Sequence, residues 1–524
     1  MRKILYIIIT MLFYTSTKAQ NKPFSKRLNT KENIESGQQI EVVNNNKIFI
    51  YSSNSYTINN EKKLGSTLYL TELNGIEIKN KVYTDLSSLK LNTECVITKD
   101  KVYYFSLKNY SDPLLEQKLV IMELNHNLDS LNSFSFDPVG VQYPSSIAQY
   151  SENELILLVV DASLINSYLY LYDIKKREIK WTKKILDETI YKCSSPSKLI
   201  VDNDKNILIL SRVTKKGEDF NDYNRPLLTK FDGKGQKIFA KSYPEVTFVE
   251  NLNEIVQMDS TSYLFACRAS ENVPGHGGDT IVSPPTFFAL NKDGSIKWKK
   301  YFYATYSDGY SVMRGFTLAK NGDIIGFGYK DDKKKKPKLS GWMFRLTKDG
   351  KQKWSRIIRD EIGLSTAKAI IAGDLYDVKE GPYGMLYGTG LYIDTFPNYE
   401  PSINNNNVWL IGVDSMGCFT PNCSGNQVWT AVDDNATLVT SEQPYKIYPN
   451  PAQDVLKVLS LQGFENSERI TYEIYNLQGQ LVAKGKPDSQ ADVLDINIAP
   501  FISGSYLLKI QSPRGIKSFV FYKT

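Results

Sequence analysis

The sequence predicts an all-β chain: a seven-bladed β-propeller followed by a small Ig-like β-sandwich domain. Three observations lead there. A hairpin signature recurs about every 57 residues, a second hairpin stands in front of each copy, and capped segments of helical period are lacking throughout the 524 residues. The clearest copies are Phe288–Trp298 (FALNKDGSIKW) and Phe344–Trp354 (FRLTKDGKQKW). Thr229–Phe239 and Leu171–Trp181 are variants, and Leu70–Lys79, Val120–Leu131 and Val408–Cys418 are weaker copies.

Within each copy a β-branched or aromatic run enters a turn and a second run leaves it. Asn74-Gly75, Asp293-Gly294 and Asp349-Gly350 predict type I′ turns, where both central residues need positive φ. The preceding hairpins fall at Ile40–Tyr51, Val96–Phe105, Ile147–Val160, Leu199–Ser211, Val256–Ala266, Thr317–Gly328 and Tyr376–Tyr387. Two hairpins make a four-stranded sheet whose faces are wet when alone, and radial stacking covers them. The aromatics Trp181, Phe239, Trp298 and Trp354 are 58, 59 and 56 residues apart and are expected to fill the space between blades. A long β-sandwich or an open solenoid is the rival arrangement, but a solenoid needs capping units and none is visible. Six or eight blades also fit, because the first two and the last copies are degenerate.

The start has the pattern of a secretory signal peptide over residues 1–19: Arg2 and Lys3, then the mostly apolar Ile4–Phe13, then Thr17 and Ala19 before a cut that leaves Gln20 first. No Cys stands there for a lipid anchor, and no other stretch reaches 18 apolar residues, so the mature chain is expected to have no transmembrane segment. The net charge of +7 falls to +4 without Arg2, Lys3 and Lys18, which is too weak to argue for nucleic acid. Lys333–Lys336 reads as a solvated hairpin tip. Export implies an oxidising compartment. Cys418 and Cys423 flank a short loop and are expected to pair as a disulfide, with a metal site as the poorer alternative. Cys95, Cys193 and Cys267 sit singly in apolar runs and read as buried thiols.

The propeller is assigned to residues 20–427, and the polar, aperiodic Val428–Pro444 reads as a linker. Residues 445–524 form the sandwich domain, with alternating runs at Val455–Leu459, Ile470–Tyr475, Leu481–Ala483, Val493–Ile498, Ser505–Ile510 and Lys517–Tyr522. In this domain IYPNPAQDVLKV (Ile447–Val458), TYEIYNLQGQLVAKG (Thr471–Gly485), IAPFISGSYLLKI (Ile498–Ile510) and the closing KSFVFYKT occur in order. Together they resemble the type A C-terminal sorting domain of the type IX secretion system in Bacteroidota. The matching positions are Pro449, Asn450, Pro451, Gly479, Gly504, Tyr506 and Lys523. The resemblance implies passage through the general secretory route and then the type IX translocon. It also implies removal of the domain by a sorting peptidase, with release or attachment to surface lipopolysaccharide. The repeats are more loosely similar to secreted propellers of the same bacteria, and Gly417–Cys423 (GCFTPNC) is similar to a cysteine loop that follows the propeller in such cargo.

Chemistry is sparse. His126 lies in a turn and reads as solvated, and His276 lies in the Gly-rich Pro274–Asp279 near Asp279 and Ser283. Asp202-Asn203-Asp204 opens like a calcium loop but lacks its later Gly and Glu, so a turn is expected. Gly326 and Gly328 sit in a strand, not at a phosphate-binding turn. The Asp-Gly-x-x-x-Trp spacing is similar to that of quinoprotein propellers, but no adjacent Cys pair or calcium set accompanies it. Asp360 and Glu361, as strand neighbours, should point to opposite faces. No catalytic residue, metal or cofactor is therefore expected. The leading expectation is a secreted or surface-attached non-enzymatic binding protein for protein or glycan, with a hydrolase or lyase using an acidic funnel site as the alternative.

Overall fold

The computed structural model describes residues 23–28, 34–58, 61–84, 86–87, 95–108, 118–136, 142–161, 166–185, 187, 189–218, 224–244, 248–270, 285–302, 311–331, 339–360, 373–394, 405–419, 423, 427–429, 445–460, 471–476, 480–486, 493–512 and 515–524. Ala19, Gln20, His276, Ser283, Lys333–Lys336 and Gly479 lie outside them. The chain divides into two compact units, Met1–Ala431 and Val432–Thr524. Both are all-β: the helical residues among those described are one 3-10 turn, Pro382–Gly384.

Among the described residues the first unit holds seven sheets, antiparallel but for one short parallel strand. Sheet 1 is Ile34–Val43, Lys47–Ile58, Glu61–Glu72 and Glu77–Tyr83; sheet 2 is Cys95–Ile97, Lys101–Lys108, Lys118–Asn125 and Ser130–Phe136, with Leu86–Ser87 added to Lys101–Lys108. Sheet 3 is Gln142–Ser151, Glu154–Asp161, Ser167–Asp173 and Glu178–Lys184; sheet 4 is Tyr191–Val201, Ile207–Lys215, Arg225–Phe231 and Lys237–Ser242. Sheet 5 is Phe248–Asp259, Ser262–Ser270, Pro285–Asn291 and Ile296–Tyr301; sheet 6 is Ser311–Leu318, Ile324–Asp331, Leu339–Leu346 and Gln352–Asp360. Sheet 7 is Asp374–Glu380, Leu386–Asp394 and Asn405–Val413, and its fourth strand is Phe24–Leu28 from the other end of the chain. Trp409 Nε1 donates to Ser25 Oγ across that junction at 2.9 Å, and the Arg27 guanidinium lies 4.0 Å over the Tyr392 ring.

Alternation explains why the sheets stack. In Ile207–Lys215, Ile207 and Ile209 face sheet 3 with Ile156 and Leu169, while Leu208 and Leu210 face sheet 5 with Phe265 and Phe288. The same arrangement gives a dry interface between every successive pair, among them sheets 1 and 2 (Phe49, Tyr104), 5 and 6 (Phe287, Trp342) and 6 and 7 (Ile325, Trp409). Tyr387 and Leu410 of sheet 7 then pack on Ile48 and Tyr69 of sheet 1. The packing is cyclic, and the fold is propeller-like.

The recurrent turns differ from expectation. Gly75 has φ 81° but Asn74 is not positive. Gly75 N donates to Glu72 O at 3.0 Å, and Glu72 N donates to Ile76 O at 2.8 Å. This is a type I turn closed by a glycine bulge, repeated at Gly294 and Gly350, rather than type I′. Two consecutive positive φ values occur instead at Asn44 and Asn45, between the first strands of sheet 1.

The bulge glycine has a second role. A Cβ at Gly294 would come within 3.0 Å of Phe239, at Gly417 within 2.8 Å of Trp354, and at Gly75 within 2.5 Å of Phe24. Each turn thus seats on the outer-strand aromatic of the preceding sheet, which couples the two halves of the repeat. The assigned linker is also partly structured, because Gln427–Trp429 pairs in parallel with Ile358–Asp360 at the outer edge of sheet 6.

Gly75→Ala should therefore lower the unfolding free energy by about 2 kcal/mol or more, through left-handed strain and overlap with Phe24. Gly322→Ala keeps a similar φ in open space and should cost only about 1 kcal/mol. Urea unfolding of the two variants checks the difference.

Candidate functional site

The second unit is a two-layer sandwich. Tyr445–Tyr448, Val455–Ser460 and Val493–Asn497 form one sheet; Leu481–Gly485, Thr471–Asn476, Gly504–Ser512 and Gly515–Lys523 form the other. Leu456, Val458 and Ile496 pack on Ile474, Leu508, Ile510 and Phe521 between them. The Tyr-Pro-Asn-Pro segment has cis bonds before both prolines. It lies along the last strand: Asn450 Nδ2 donates to Val520 O at 3.1 Å, and Tyr522 N donates to Asn450 Oδ1 at 2.9 Å. Ala452 N donates to Tyr522 O at 2.8 Å, and Thr524 N to Ala452 O at 3.0 Å. The Asn450 amide therefore acts as a strand backbone would, between two prolines that have no N–H to offer. Tyr506 Oη donates to Ile502 O at 2.7 Å, Gly504 has φ 155°, and Gly504 pairs with Lys523. Six of the seven sequence-matched positions thus cluster around the final strand or the turn that feeds its partner; Gly479 lies outside the described residues.

Cys418 and Cys423 form a disulfide, their Cα atoms 5.8 Å apart. Asp414 prepares the approach: its Oδ1 accepts from Met416 N and Cys418 N, both at 2.9 Å. Cys95 and Cys267 are buried, burial pushes the Cys95 thiol far up, and the Cys193 side chain lies outside the described residues.

The first strands of the sheets carry a feature that sequence reading missed. In six of the seven, a residue at the same place in the strand bulges out of the ladder: Gln38, Ser145, Ser197, Asn253, Arg314 and Tyr376, with further register shifts nearer the strand ends in sheets 3, 4 and 5. Two residues on, an apolar side chain (Ile40, Ile147, Leu199, Ile255, Phe316, Val378) is buried between sheets. The residue between is polar in five cases, and several of these converge. Lys379 Nζ lies 3.1 Å from Glu41 Oε1, and Lys198 Nζ lies 3.2 Å from Glu254 Oε1. Asp377 Oδ2 accepts from Ile40 N at 3.0 Å, and Asp377 also feels Lys198 of sheet 4, while Lys379 feels Glu254 of sheet 5. Residues of sheets 1 and 7 therefore touch directly, as do those of sheets 4 and 5, and the two groups influence each other's charge electrostatically. Burial raises the Asp377 carboxyl to about 6, against the pull of Lys379. Arg314 Nε and Nη2 both donate to Asp374 Oδ2, at 3.0 and 2.8 Å.

The sequence-read candidates resolve into structural roles. His126 is half-buried rather than solvated: its Nε2 is 3.0 Å from Thr98 O, so Nδ1 accepts from Asn44 Nδ2 at 3.2 Å. Asp202 is a turn residue. Its Oδ1 accepts from Asp204 N and Asn206 N, its Oδ2 accepts from Tyr263 Oη, and Lys230 Nζ lies 3.5 Å away. Although burial opposes it, these bonds and Lys230 hold its carboxyl below the usual range. Gly326 and Gly328 make room, respectively, for the Phe344 ring and for Val312 O. The Asp360 side chain and Glu361 fall outside the described residues. Among the described residues no cluster of three potential metal ligands occurs, and no helix is long and apolar enough to cross a membrane.

Residues 446–520 match the secretion system C-terminal sorting domain. The chain therefore carries a type IX sorting module, which engages that secretion machinery and addresses the protein to secretion or cell-surface attachment. No curated protein matches the chain. Similar solved structures include the Dos1 propeller (11% identity, 78% of this chain and 97% of that one, TM-score 0.41). Others are the β-propeller domain of the Trilobed protease from Pyrococcus furiosus (9%, 73% and 95%, 0.41) and hydrazine synthase of Kuenenia stuttgartiensis (11%, 62% and 79%, 0.39). These likenesses are too weak to add to what strand order and packing show.

Asn450→Ala removes both strand-like bonds, and at an exposed position this should cost about 1 kcal/mol. Hydrogen exchange of the full chain should show faster exchange confined to the C-terminal strand. For Asp377, a folded-state value near 6 against an ordinary 3.8 means that the native state holds the proton more tightly. Its contribution is full below about pH 4 and is lost as pH rises through 6. The stability of Asp377→Asn relative to the native chain should therefore rise between pH 4 and 6.5, by on the order of 2 kcal/mol in denaturant titrations.

Proposed function

We propose that the first unit is a closed seven-bladed β-propeller that works as a non-enzymatic binding protein for a protein or glycan. The C-terminal module, an Ig-like sandwich in this reading, delivers it and is then removed by the sorting peptidase. The mature propeller is released or joined to surface lipopolysaccharide. The observation that carries the binding reading is how the inner-strand carboxylates are used. Glu41, Glu254 and Asp374 each face a lysine or arginine, and Asp377 accepts the Ile40 amide across the junction of sheets 7 and 1. Such pairing supports a structural use of the acids, because general acid–base work on a substrate needs carboxylates open to it. The raised Asp377 beside Lys379 is the one feature favouring the second reading, a hydrolase or lyase, since a carboxyl near 6 suits a general acid.

A glycan and surface-protein screen on the chain lacking residues 1–19 separates the readings: retention without turnover supports binding, and cleavage abolished by Asp377→Asn supports the enzyme. Deleting 445–524 should leave the protein in the periplasm; fractionation that finds the truncated chain at the surface in normal amounts would refute sorting by this module.

A further inference from the structure

Two of the inner-strand bulges are neighbours and differ from the others in chemistry. Arg314 on sheet 6 and Tyr376 on sheet 7 are each the extra residue of a bulge, which turns a side chain out of the regular ladder. Each bulge is accommodated by a glycine on the second strand of its sheet. A Cβ on Gly328 would lie 2.0 Å from Val312 O, and one on Gly390 would lie 1.8 Å from Asp374 O. Space has thus been left on both sheets for backbone that presents these two side chains. The Arg314 guanidinium lies over the rings of both Tyr329 and Tyr376, 5.3 and 5.1 Å from their centroids. Asp374, 5% exposed at its side chain, holds it from one side with a single oxygen through Nε and Nη2. Arg314 keeps 28% of its side chain exposed, and no described group takes the Nη1–Nη2 edge. That edge is the fork that meets a planar carboxylate with two parallel hydrogen bonds. Asp374 orients the fork, and the half-buried tyrosines offer apolar ring surface beside it.

We propose that Arg314, oriented by Asp374 and flanked by Tyr329 and Tyr376, anchors a site for the carboxylate of an acidic saccharide, a hexuronate-containing glycan. The carboxylate meets the free fork, and the pyranose ring lies against the tyrosine rims. Ring stacking beside a charge favours a sugar over an acidic peptide, whose carboxylate stands on a flexible stem with no ring to stack. This rests on the binding reading above and names the ligand of that propeller.

The test is calorimetric titration of the full chain with galacturonate, glucuronate and mannuronate–guluronate oligomers, with neutral glucan oligomers and poly-glutamate as comparison arms. The expected result is binding of at least one uronate series and of neither comparison. Arg314→Ala should weaken it by about tenfold to a hundredfold. Because that variant leaves Asp374 buried without its cation, Arg314→Lys, which keeps the charge but lacks the fork, should show a similar loss while remaining folded by circular dichroism. Absence of uronate binding, equal binding by either variant, or a preference for poly-glutamate overturns the assignment. Uronate that is cleaved in an Arg314-dependent way would leave the ligand standing and remove the non-enzymatic reading. Protein binding without uronate binding would do the reverse.

Discussion

Coverage of apolar faces governs this molecule. Each sheet of the first unit has two apolar faces, and a row of such sheets would leave the first and last wet. Packing Tyr387 and Leu410 on Ile48 and Tyr69 removes that pair of faces. The same junction takes its outer strand from Phe24–Leu28, so the two ends of the repeat array are held by backbone hydrogen bonds as well as by burial. Apolar contact supplies the driving force, and the paired strand supplies the register. The local Cys418–Cys423 loop follows directly, and the parallel strand Gln427–Trp429 then ties the chain to sheet 6.

Closure in turn explains the repeat's most regular feature. A turn glycine and the aromatic four residues later, as in Gly294 and Trp298, look like parts of one hairpin. In space the glycine of one sheet faces the aromatic of the sheet before it, Gly294 on Phe239 and Gly417 on Trp354. The motif records contact between repeats, and its spacing stays near constant because each sheet must meet its neighbour in the same way. Phe24 plays this part for Gly75, so the N-terminal strand replaces the missing outer strand of sheet 7 in packing as well as in pairing.

The ring also concentrates chemistry that is dispersed in sequence. Glu41, Lys198, Glu254, Asp377 and Lys379 span almost the whole array, yet they influence one another inside it. Most of that charge is spent on joining sheets. Arg314 differs because Asp374 occupies only one edge of its guanidinium, which lies over two tyrosine rings. The C-terminal module is a separate solution to edge protection: a proline-flanked asparagine covers part of the last strand's edge with an amide that cannot extend a sheet.

Local sequence was sufficient for what is local. Period-two alternation, turn dipeptides and the ordered motifs around Pro449–Pro451, Gly504 and Tyr506 determined the all-β class, the hairpins and the sorting module, because each depends on residues a few positions apart. Tertiary structure decided the rest. The turn type followed from backbone bonding that Asn-Gly or Asp-Gly permits in more than one form. The clasp by Phe24–Leu28 joins residues nearly four hundred apart, beyond any periodic signal. The inner-strand bulges add one residue and so erase the alternation that would have revealed them. The guanidinium of Arg314 gained its meaning only when strands from two sheets brought Asp374, Tyr329 and Tyr376 around it, since a side chain's chemistry depends on neighbours that only folding supplies.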